Sequence, residues 1–179
     1  MKIYITGPVG GGKTTLARRL AADYGIPAFE ADGFRYETDL SNPNYNHARS
    51  DDDCESLLAA ALVNKAWVME DAGRAMFEEA WRQADTFVLL VPPLTVRLAR
   101  IMSRWVKQNL GLEACSYQPH LKMIFVLLRW TRDYENGRDG LRTRLTPYAG
   151  KLVVLRSKRD VERFVIEIEL FRHRDVSAS

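Results

Sequence analysis

The sequence has few cysteines, no long apolar run and no strong excess of one charge. Two of its 179 residues are cysteines, Cys54 and Cys115, and they lack the spacing of a metal site. Because two cysteines are too few for a disulfide framework, we expect a reducing, cytoplasmic environment. No apolar run approaches the roughly 18 residues of a membrane span, and we expect neither a signal peptide nor a membrane partner.

The net charge of the chain excludes few further classes of function. The 26 Lys and Arg residues exceed the 23 Asp and Glu residues only slightly, which gives a net charge of +3. A mild excess suits a polyanionic ligand but does not by itself indicate a nucleic-acid surface. The three histidines are isolated from one another and from the cysteines. We therefore do not expect them to bind a metal.

Strand-like and helix-like segments alternate along the chain, which is typical of a parallel sheet with helices on both faces. The pattern predicts class α/β, a three-layer α/β/α fold with a five-stranded parallel sheet. The predicted strands are Lys2–Ile5, Ala28–Ala31, Ala66–Met69, Thr86–Val91 and Lys151–Leu155. The predicted helices are Thr14–Tyr24, Cys54–Asn64, Gly73–Gln83, Leu94–Leu110, Leu121–Tyr134 and Val161–Phe171, the last with Asp160 as its N-cap.

We expect one domain over residues 1–175, followed by a frayed tail from residue 176. The polar stretch 35–53 is predicted to be a mobile cover, and residues 105–146 a small helical lid in which Asn136–Thr146 is mobile. Leu121–Trp130 is apolar nearly all round but too short to span a membrane. We interpret this segment as a buried core helix.

The strongest signal is GPVGGGKTT at residues 7–15, directly after the first predicted strand. Gly7, Gly12, Lys13 and Thr14 match the phosphate-binding pattern G-x-x-x-x-G-K-[ST], with a strand before it and a helix after it. Gly10 and Gly11 allow the backbone to turn its amides inward, so that phosphate oxygens approach them closely. This motif predicts a P-loop NTPase fold that binds ATP or GTP.

Each polar residue of the loop has a predicted task. Lys13 is expected to contact the β- and γ-phosphates, and Thr14 to offer its hydroxyl to Mg²⁺. Thr15 is expected to support the phosphate end of the nucleotide. Binding of ATP and Mg²⁺ follows from this motif, whereas the type of reaction does not.

Two classes of P-loop protein fit the remaining sequence poorly. A GTPase needs an Asn-Lys-x-Asp element, and Asn64-Lys65-Ala66-Trp67 lacks the aspartate. A motor ATPase uses a strand that ends in Asp-Glu, and this chain has Glu70-Asp71 in the reverse order. This order weakens the motor hypothesis without excluding it.

Acidic residues at the ends of predicted strands favour a small-molecule kinase, because open α/β sheets bind ligands beyond the carboxyl ends of their strands. Glu30 and Asp32 end the second strand, where alternation places them on one face, and Glu70 ends the third. We expect Glu30, Asp32 and Glu70 to hold Mg²⁺ together with Thr14, and Asp32 also to position the acceptor. The alternative for Asp32, and for Asp71, is a capping role at a strand-to-helix turn.

Arginines supply the positive charge that a transferred phosphoryl group requires. Arg97, Arg100 and Arg104 are spaced to lie on one face of a long helix. Arg138 and its neighbours Arg142 and Arg144 are candidates to close from the other side. We expect two or three of these six at the site.

The segments ITGPVGGGKTTLARRLAADYGIPAFEAD, AWVMEDAG, RQADTFVLLVPP, RLARIMSRW and KLVVLRSKRDVERF resemble, in order and spacing, the DNA topology modulation protein family. That family is similar to adenylate kinase and shikimate kinase. The resemblance implies that Arg100 stacks on the ATP adenine and that Arg104 reaches the phosphates. It also implies Mg²⁺ and acceptor duties at Glu30 and Asp32, and places Ser157 in the wall of the adenine pocket.

Two segments depart from the family. An Asp-Gly pair is replaced by Glu70-Asp71, and the lost glycine removes room for a close substrate approach. Residues 35–53 do not match the nucleotide-monophosphate clamp of adenylate kinases. The acceptor, whether nucleoside, nucleotide or hydroxylated metabolite, therefore stays open.

The sequence thus predicts an ATP- and Mg²⁺-dependent kinase of a small molecule, with Lys13, Asp32, Arg100 and Arg104 as catalytic residues. The alternatives are a nucleotide-dependent regulatory protein that contacts DNA, as the family name suggests, and a simple ATPase.

Overall fold

A computed structural model of the chain describes residues 1–38, 46–113 and 121–177, without the side chains of residues 38, 46 and 171–177. The strands are β1 (Lys2–Thr6), β2 (Ala28–Glu30), β3 (Tyr36–Thr38), β4 (Asn46–Ala48), β5 (Trp67–Glu70), β6 (Thr86–Leu90) and β7 (Leu152–Leu155). The helices are α1 (Lys13–Tyr24), α2 (Asp32–Arg35), α3 (Asp51–Leu62), α4 (Glu78–Gln83), α5 (Leu94–Asn109), α6 (Leu121–Glu135), α7 (Leu141–Leu145) and α8 (Lys158–Ser177). Two 3₁₀ turns cover Ala75–Phe77 and Thr146–Lys151.

The main sheet has the strand order β2-β5-β1-β6-β7, and every pair in it is parallel. Strand β1 is central, with Ile5 opposite Glu70 of β5 and opposite Val88 of β6. All five carboxyl ends therefore meet at one edge, where the P-loop follows β1. This sheet confirms the predicted fold class.

Alternating side chains of the strands pack into two separate cores, one on each face of the sheet. Ile3 and Ile5 join a cluster with Leu16 of α1 and Phe164 of α8. Tyr4, between them in sequence, joins a cluster with residues of α3, α4 and α7 on the other face. The molecule is thus a three-layer α/β/α structure, as the alternation of predicted elements indicates.

The predicted helix Gly73–Gln83 is shorter in the structure. The backbone of Gly73 has a φ of 91°, outside the helical region. A turn and the 3₁₀ segment Ala75–Phe77 therefore precede α4.

The segment Asn136–Thr146, predicted to be mobile, contains α7. Both ends of this helix, Leu141 and Leu145, are buried in the core. The prediction of mobility rested on the many arginines and glycines of this segment and did not take these two leucines, which anchor it, into account.

The predicted cover at residues 35–53 contains the antiparallel pair β3–β4 and the start of α3, and residues 39–45 lie outside the described part. Ser50 is the N-cap of α3 and accepts a hydrogen bond from the Asp53 N–H at 3.1 Å. In the predicted lid at 105–146, residues 114–120, including Cys115, are outside the described ranges, and so are 178 and 179 of the tail. Helix α8 continues to Ser177, beyond the predicted end.

The prediction that Leu121–Trp130 forms a buried core helix is wrong. Phe125 is 71% exposed and Trp130 50% exposed, and Leu121 is also exposed. Helix α6 buries only a narrow side, at Ile124, Thr131 and Tyr134. Because α6 packs mainly on α5, its other sides have no covering layer within the described residues. No helix in the described ranges is both long enough and apolar enough to cross a membrane.

Candidate phosphate-binding site

The loop between β1 and α1 has a backbone that only glycine tolerates at its key positions. Gly7 has a φ of 143° and Gly10 a φ of 74°. A Cβ on Gly7 would lie 2.2 Å from the Leu90 carbonyl oxygen, and one on Gly10 would lie 2.7 Å from that of Arg97. The loop is thus packed against the end of β6 and the first turn of α5. Gly12, with a φ of 97°, precedes the first residue of α1, so the amino end of that helix opens directly onto the loop.

Lys13 folds back over this loop. Its Nζ donates to the Gly7 carbonyl at 3.0 Å and lies 3.4 Å from the Pro8 carbonyl. Burial lowers the pKa of Lys13, and the nearby carboxylates of Glu70, Asp71 and Asp32 act in the opposite direction. The ammonium group is therefore held against the loop carbonyls, within the electrostatic influence of these acidic groups.

Thr14 and Glu70 meet beside Lys13. The Thr14 hydroxyl donates to Glu70 Oε1 at 2.9 Å, which joins the start of α1 to the carboxyl end of β5. Glu70 is buried, and this burial raises its pKa, while Lys13 and the Thr14 hydrogen bond lower it. A hydroxyl and a carboxylate side by side are the oxygen donors that Mg²⁺ takes in nucleotide sites. These two residues fit the metal that the motif implies.

The other two predicted metal ligands, Glu30 and Asp32, do not lie together with this pair. Glu30 accepts a hydrogen bond from Arg18 at 2.6 Å, whereas Asp32 pairs with Arg74. Strand β2 ends at Glu30, and Ala31 is helical, so the alternation that would place both carboxylates on one face is broken. The described residues contain no group of three or more acidic, His or Cys side chains arranged to hold a metal.

Asp71 organises the turn after β5. Its buried carboxylate accepts from the Tyr4 hydroxyl at 3.2 Å, from the Gly73 N–H at 2.6 Å and from the Arg74 N–H at 2.5 Å. Arg74 also donates to it through Nη1 at 2.5 Å, and donates through Nη2 to Asp32. Burial, followed by the charge of Asp71, raises the pKa of Tyr4. Asp71 therefore has the capping role that the sequence left open, and Arg74 links it to Asp32.

Gly73 lies two residues after the position at which the family has its glycine, and neighbouring side chains pack closely against its backbone. A Cβ on Gly73 would lie 2.3 Å from Leu141 Cδ1 and 3.2 Å from Thr6 Oγ1. Core side chains fill this space, so Gly73 does not replace the room for substrate that the sequence predicts to be lost at position 71. Its carbonyl accepts a hydrogen bond from Arg144 Nη2 at 2.9 Å, which attaches α7 to the turn.

The arginines of α5 are divided between the loop, a cavity and the core. Arg100 Nη1 donates to the carbonyls of Gly10 and Gly11 at 3.2 and 3.0 Å. Arg104 pairs with Glu113 at 3.2 Å.

Arg97 does not reach the site, contrary to the expectation that all three share a face. It is 1% exposed, pairs with Glu135 and donates to the Pro92 carbonyl at 3.1 Å. The reason is that the first turn of α5 packs under the end of α6. Arg104, two turns further along, extends past that contact.

The arginines predicted to close from the other side do not reach the loop either. The Arg142 guanidinium lies 5.3 Å from the centre of the Tyr134 ring. Arg144 is bonded to Gly73, as described, and Arg138 is exposed. None of the three lines either of the two cavities that meet at the loop.

Two cavities open on either side of Arg100, Gly12 and Thr15, which line both of them. The smaller has a volume of about 310 Å³ and is walled partly by apolar residues, among them Leu16, Leu155 and Val161. The larger has a volume of about 1080 Å³ and lies between α1, the end of β2 and α5. The loop therefore connects a partly apolar compartment with a large, charged one.

Ser157 lies at the wall of the smaller cavity. Its hydroxyl accepts from the Asp160 N–H at 3.1 Å, and the Asp160 carboxylate accepts from the Ser157 N–H at 2.9 Å. This reciprocal pair is a capping box. Ser157, and not Asp160, is therefore the N-cap of α8.

Sequence reasoning missed four residues at the site. Arg74 follows β5 at the same sheet edge as the acidic residues. Because open α/β sheets bind ligands at this edge, its position in the sequence could have identified it. Arg18 lies one helical turn after Thr14, and Lys107 lies three residues after Arg104, so helical spacing predicts both positions. Glu113, the partner of Arg104, has no comparable sequence signal.

The sequence profile described as an AAA domain matches residues 3–112, from β1 past the end of α5. The chain belongs to the AAA domain family. The matched part of the chain includes the P-loop, the acidic turn after β5 and all of α5. No curated protein sequence matches the chain.

Solved structures resemble the chain over nearly its whole length. A shikimate kinase from Acinetobacter baumannii, solved in complex with shikimate, is 19% identical, with a TM-score of 0.54 over 95% of this chain and 93% of its own. An unliganded sugar kinase from Janibacter sp. HTCC2649 is 18% identical, with a TM-score of 0.53 over 93% of both chains. These similarities show the fold that the chain shares with both enzymes.

Proposed function

We propose that the protein is an ATP- and Mg²⁺-dependent phosphotransferase that moves the γ-phosphate of ATP to a small-molecule acceptor. The observation that carries this proposal is the junction of two cavities at one P-loop. A partly apolar cavity of about 310 Å³ suits a nucleobase, and the larger one leaves room for a second molecule beyond Lys13 and Thr14. The shared fold with a shikimate kinase and a sugar kinase supports the same reaction class.

Each residue of the loop has a task in this proposal. Lys13 leaves its contact with the Gly7 carbonyl and pairs with the phosphates, assisted by the loop amides and the amino end of α1. Mg²⁺, when bound by Thr14 and Glu70, neutralises charge on the phosphates. Arg100 moves from the Gly10 and Gly11 carbonyls to the nucleotide, and Arg104 to its phosphates. Thr15 and Ser157 complete the nucleotide walls.

Asp32 is the residue that we assign to the acceptor. Its carboxylate, two residues after the cavity-lining Glu30, does not itself line the larger cavity but is 71% exposed at the edge of the sheet, and its charge acts on Lys13. Arg74, held by the buried Asp71, fixes its position. In this arrangement Asp32 orients the acceptor hydroxyl and accepts its proton, while a new bond forms between the acceptor oxygen and the γ-phosphorus and the bond from that phosphorus to the leaving oxygen of ADP breaks.

Calorimetry with Lys13→Met tests the nucleotide part of the proposal. We expect the wild-type protein to bind Mg²⁺·ATP and the variant to lose most of that affinity, because the methionine keeps the length of the side chain without its charge. Lys65→Met, in the turn before β5 at the opposite edge of the sheet, is the matched control. Equal ATP affinity in the wild-type protein and Lys13→Met would show that the loop assignment is wrong.

A coupled ADP-release screen tests the transfer step. The panel consists of nucleosides, nucleotides and hydroxylated metabolites, and we expect one class to raise ADP release above the rate without acceptor. ADP release that no acceptor changes would instead indicate the ATPase alternative. The resemblance to DNA topology modulation proteins agrees with the kinase-like fold, and DNA binding stays a prediction that a salt titration would test.

A further inference from the structure

Helix α6 presents an apolar stripe to solvent. Leu121, Phe125 and Leu128 follow one another at spacings of four and three residues, which places them on one face of the helix. Their exposed fractions are 64%, 71% and 37%. The residues that α6 buries lie on a different face, so in the described part of the chain no second layer covers this outer stripe.

Three cations border the outer stripe. Lys122 and Arg129, seven residues apart, share one edge of it, and Arg132 lies one turn beyond Leu128 on the same face. All three are exposed. Within residues 1–38, 46–113 and 121–177, none of them forms an ion pair. The outer face of α6 is therefore both apolar and positively charged.

The two carboxylates of α6 do not offset these cations. Glu135 is paired with the buried Arg97 of α5. Asp133 is half-buried. The positive charge of the outer face is thus available to an anionic surface outside the chain.

The outer stripe is small for a stable protein interface. Its three side chains expose on the order of 300 Å² of apolar surface, whereas a stable complex buries about 800 Å² on each partner. Neither of the two cavities at the P-loop is lined by a residue of α6. A second copy of the chain, related by a two-fold axis, would also bring two sets of three cations together, and juxtaposed like charges disfavour association.

The surface of an anionic bilayer matches both properties of this face. Amphipathic helices lie in the plane of such a surface with Leu and Phe side chains at the acyl boundary and Lys or Arg side chains at the headgroups. The expectation that the protein has no membrane partner rested on the absence of a long apolar run. Such a run is needed to span a bilayer but not to lie on one.

We propose that the outer face of α6 is a docking surface for a bilayer that contains anionic phospholipids. The apolar stripe enters the boundary between headgroups and acyl chains, and the three cations contact the lipid phosphates and carboxylates. Binding is reversible, because one short stripe and three cations give far less affinity than a spanning helix. The inference does not depend on the proposed function, since no residue of α6 lines either cavity at the P-loop.

Co-sedimentation with vesicles tests the docking surface. We expect the wild-type protein to bind vesicles of phosphatidylserine mixed with phosphatidylcholine, and not vesicles of phosphatidylcholine alone. Arg129→Gln should weaken this binding about fivefold, the loss expected for one cation near an anionic bilayer. Phe125→Gln should weaken it about tenfold, because a large apolar side chain no longer leaves water.

Arg163→Gln and Ile166→Gln are the matched controls. They remove an arginine and an apolar side chain from exposed positions of α8, which packs on the other face of the sheet from Tyr134 of α6. Both should bind the mixed vesicles as tightly as the wild type. Because all four substituted side chains are exposed, the thermal unfolding midpoint should stay unchanged in every variant.

Phe125→Trp tests whether the stripe enters the bilayer. Lipids with brominated acyl chains quench a tryptophan that they contact, so the mixed vesicles should quench Phe125→Trp more than the wild type. Ile166→Trp should show no quenching beyond the wild type.

Three results would overturn the inference. The first is no binding to the mixed vesicles, or binding that Phe125→Gln does not weaken. The second is binding without added quenching in Phe125→Trp, which would reduce the contact to the attraction of a chain of net charge +3. The third is a different occupant: a dimer in sedimentation equilibrium, or a complex with polyglutamate as tight as that with vesicles, if Phe125→Gln abolishes it, would assign the face to a second copy or to an acidic protein.

Discussion

Alanine at Gly73 should destabilise the protein through two separate effects that the structure allows us to estimate. The φ of 91° costs an L-residue about 1–2 kcal/mol. The new Cβ would also lie 2.3 Å from Leu141 Cδ1, and Leu141 is itself 1% exposed in the core. Moving a packed side chain of this kind costs about 1–3 kcal/mol. We therefore expect a loss of about 2–5 kcal/mol in the free energy of unfolding.

Urea denaturation followed by circular dichroism measures this loss, with the slope m as a check that the two-state transition is unchanged. Gly137→Ala is the control, because Gly137 has a φ of 68° and no atom lies within 4 Å of the place that its Cβ would take. It should lose only the backbone cost of about 1–2 kcal/mol. If both variants lose the same free energy, the contact with Leu141 does not constrain the turn and the reasoning is refuted.

Two further substitutions test single contacts of the site. Glu70→Gln keeps a hydrogen-bond acceptor for Thr14 but removes the buried charge of a proposed metal ligand. It should therefore weaken Mg²⁺ binding by at least the roughly 10–100-fold that the loss of an outer-shell partner costs, while stabilising the ligand-free protein. Because burial raises the pKa of Glu70, the wild type loses stability as the pH rises from the ordinary glutamate pKa through the raised one. The gain in the melting temperature of Glu70→Gln should therefore appear above that window and vanish below it, and a gain independent of pH would contradict this cause. Ser157→Ala should lose about 1 kcal/mol in urea denaturation, and Ser157→Asn should restore it, whereas equal losses would show that Ser157 is not a cap.

The sheet and the loop could be predicted from the sequence because their signals are local. Apolar runs bounded by Gly, Pro and acidic residues located all five strands of the main sheet to within one residue at each end. The P-loop motif needs its glycines in fixed positions, and Gly7 and Gly10 indeed have no space for a Cβ. Both predictions depend on residues close together in the chain.

The acceptor side could not be predicted to the same degree, because its residues are joined by long-range pairs. Arg74 binds Asp32 across 42 positions, and no pattern in either segment indicates the other. The burial of Arg97 depends in the same way on Glu135. The exposed surface of α6 was missed for a different reason: an apolar composition predicts burial only if another layer covers the helix. Which of the predicted site residues act on ATP, Mg²⁺ and the acceptor stays a prediction.

Arg100 is one wall of both cavities, and this position has an energetic consequence. A ligand in either cavity that draws the Arg100 guanidinium away from the carbonyls of Gly10 and Gly11 changes the contacts that are available to a ligand in the other cavity. By thermodynamic linkage, each occupant must then alter the affinity of the other by the same factor. Substrate binding in this chain is accordingly expected to be cooperative between two different molecules, with a single side chain as the element that couples them.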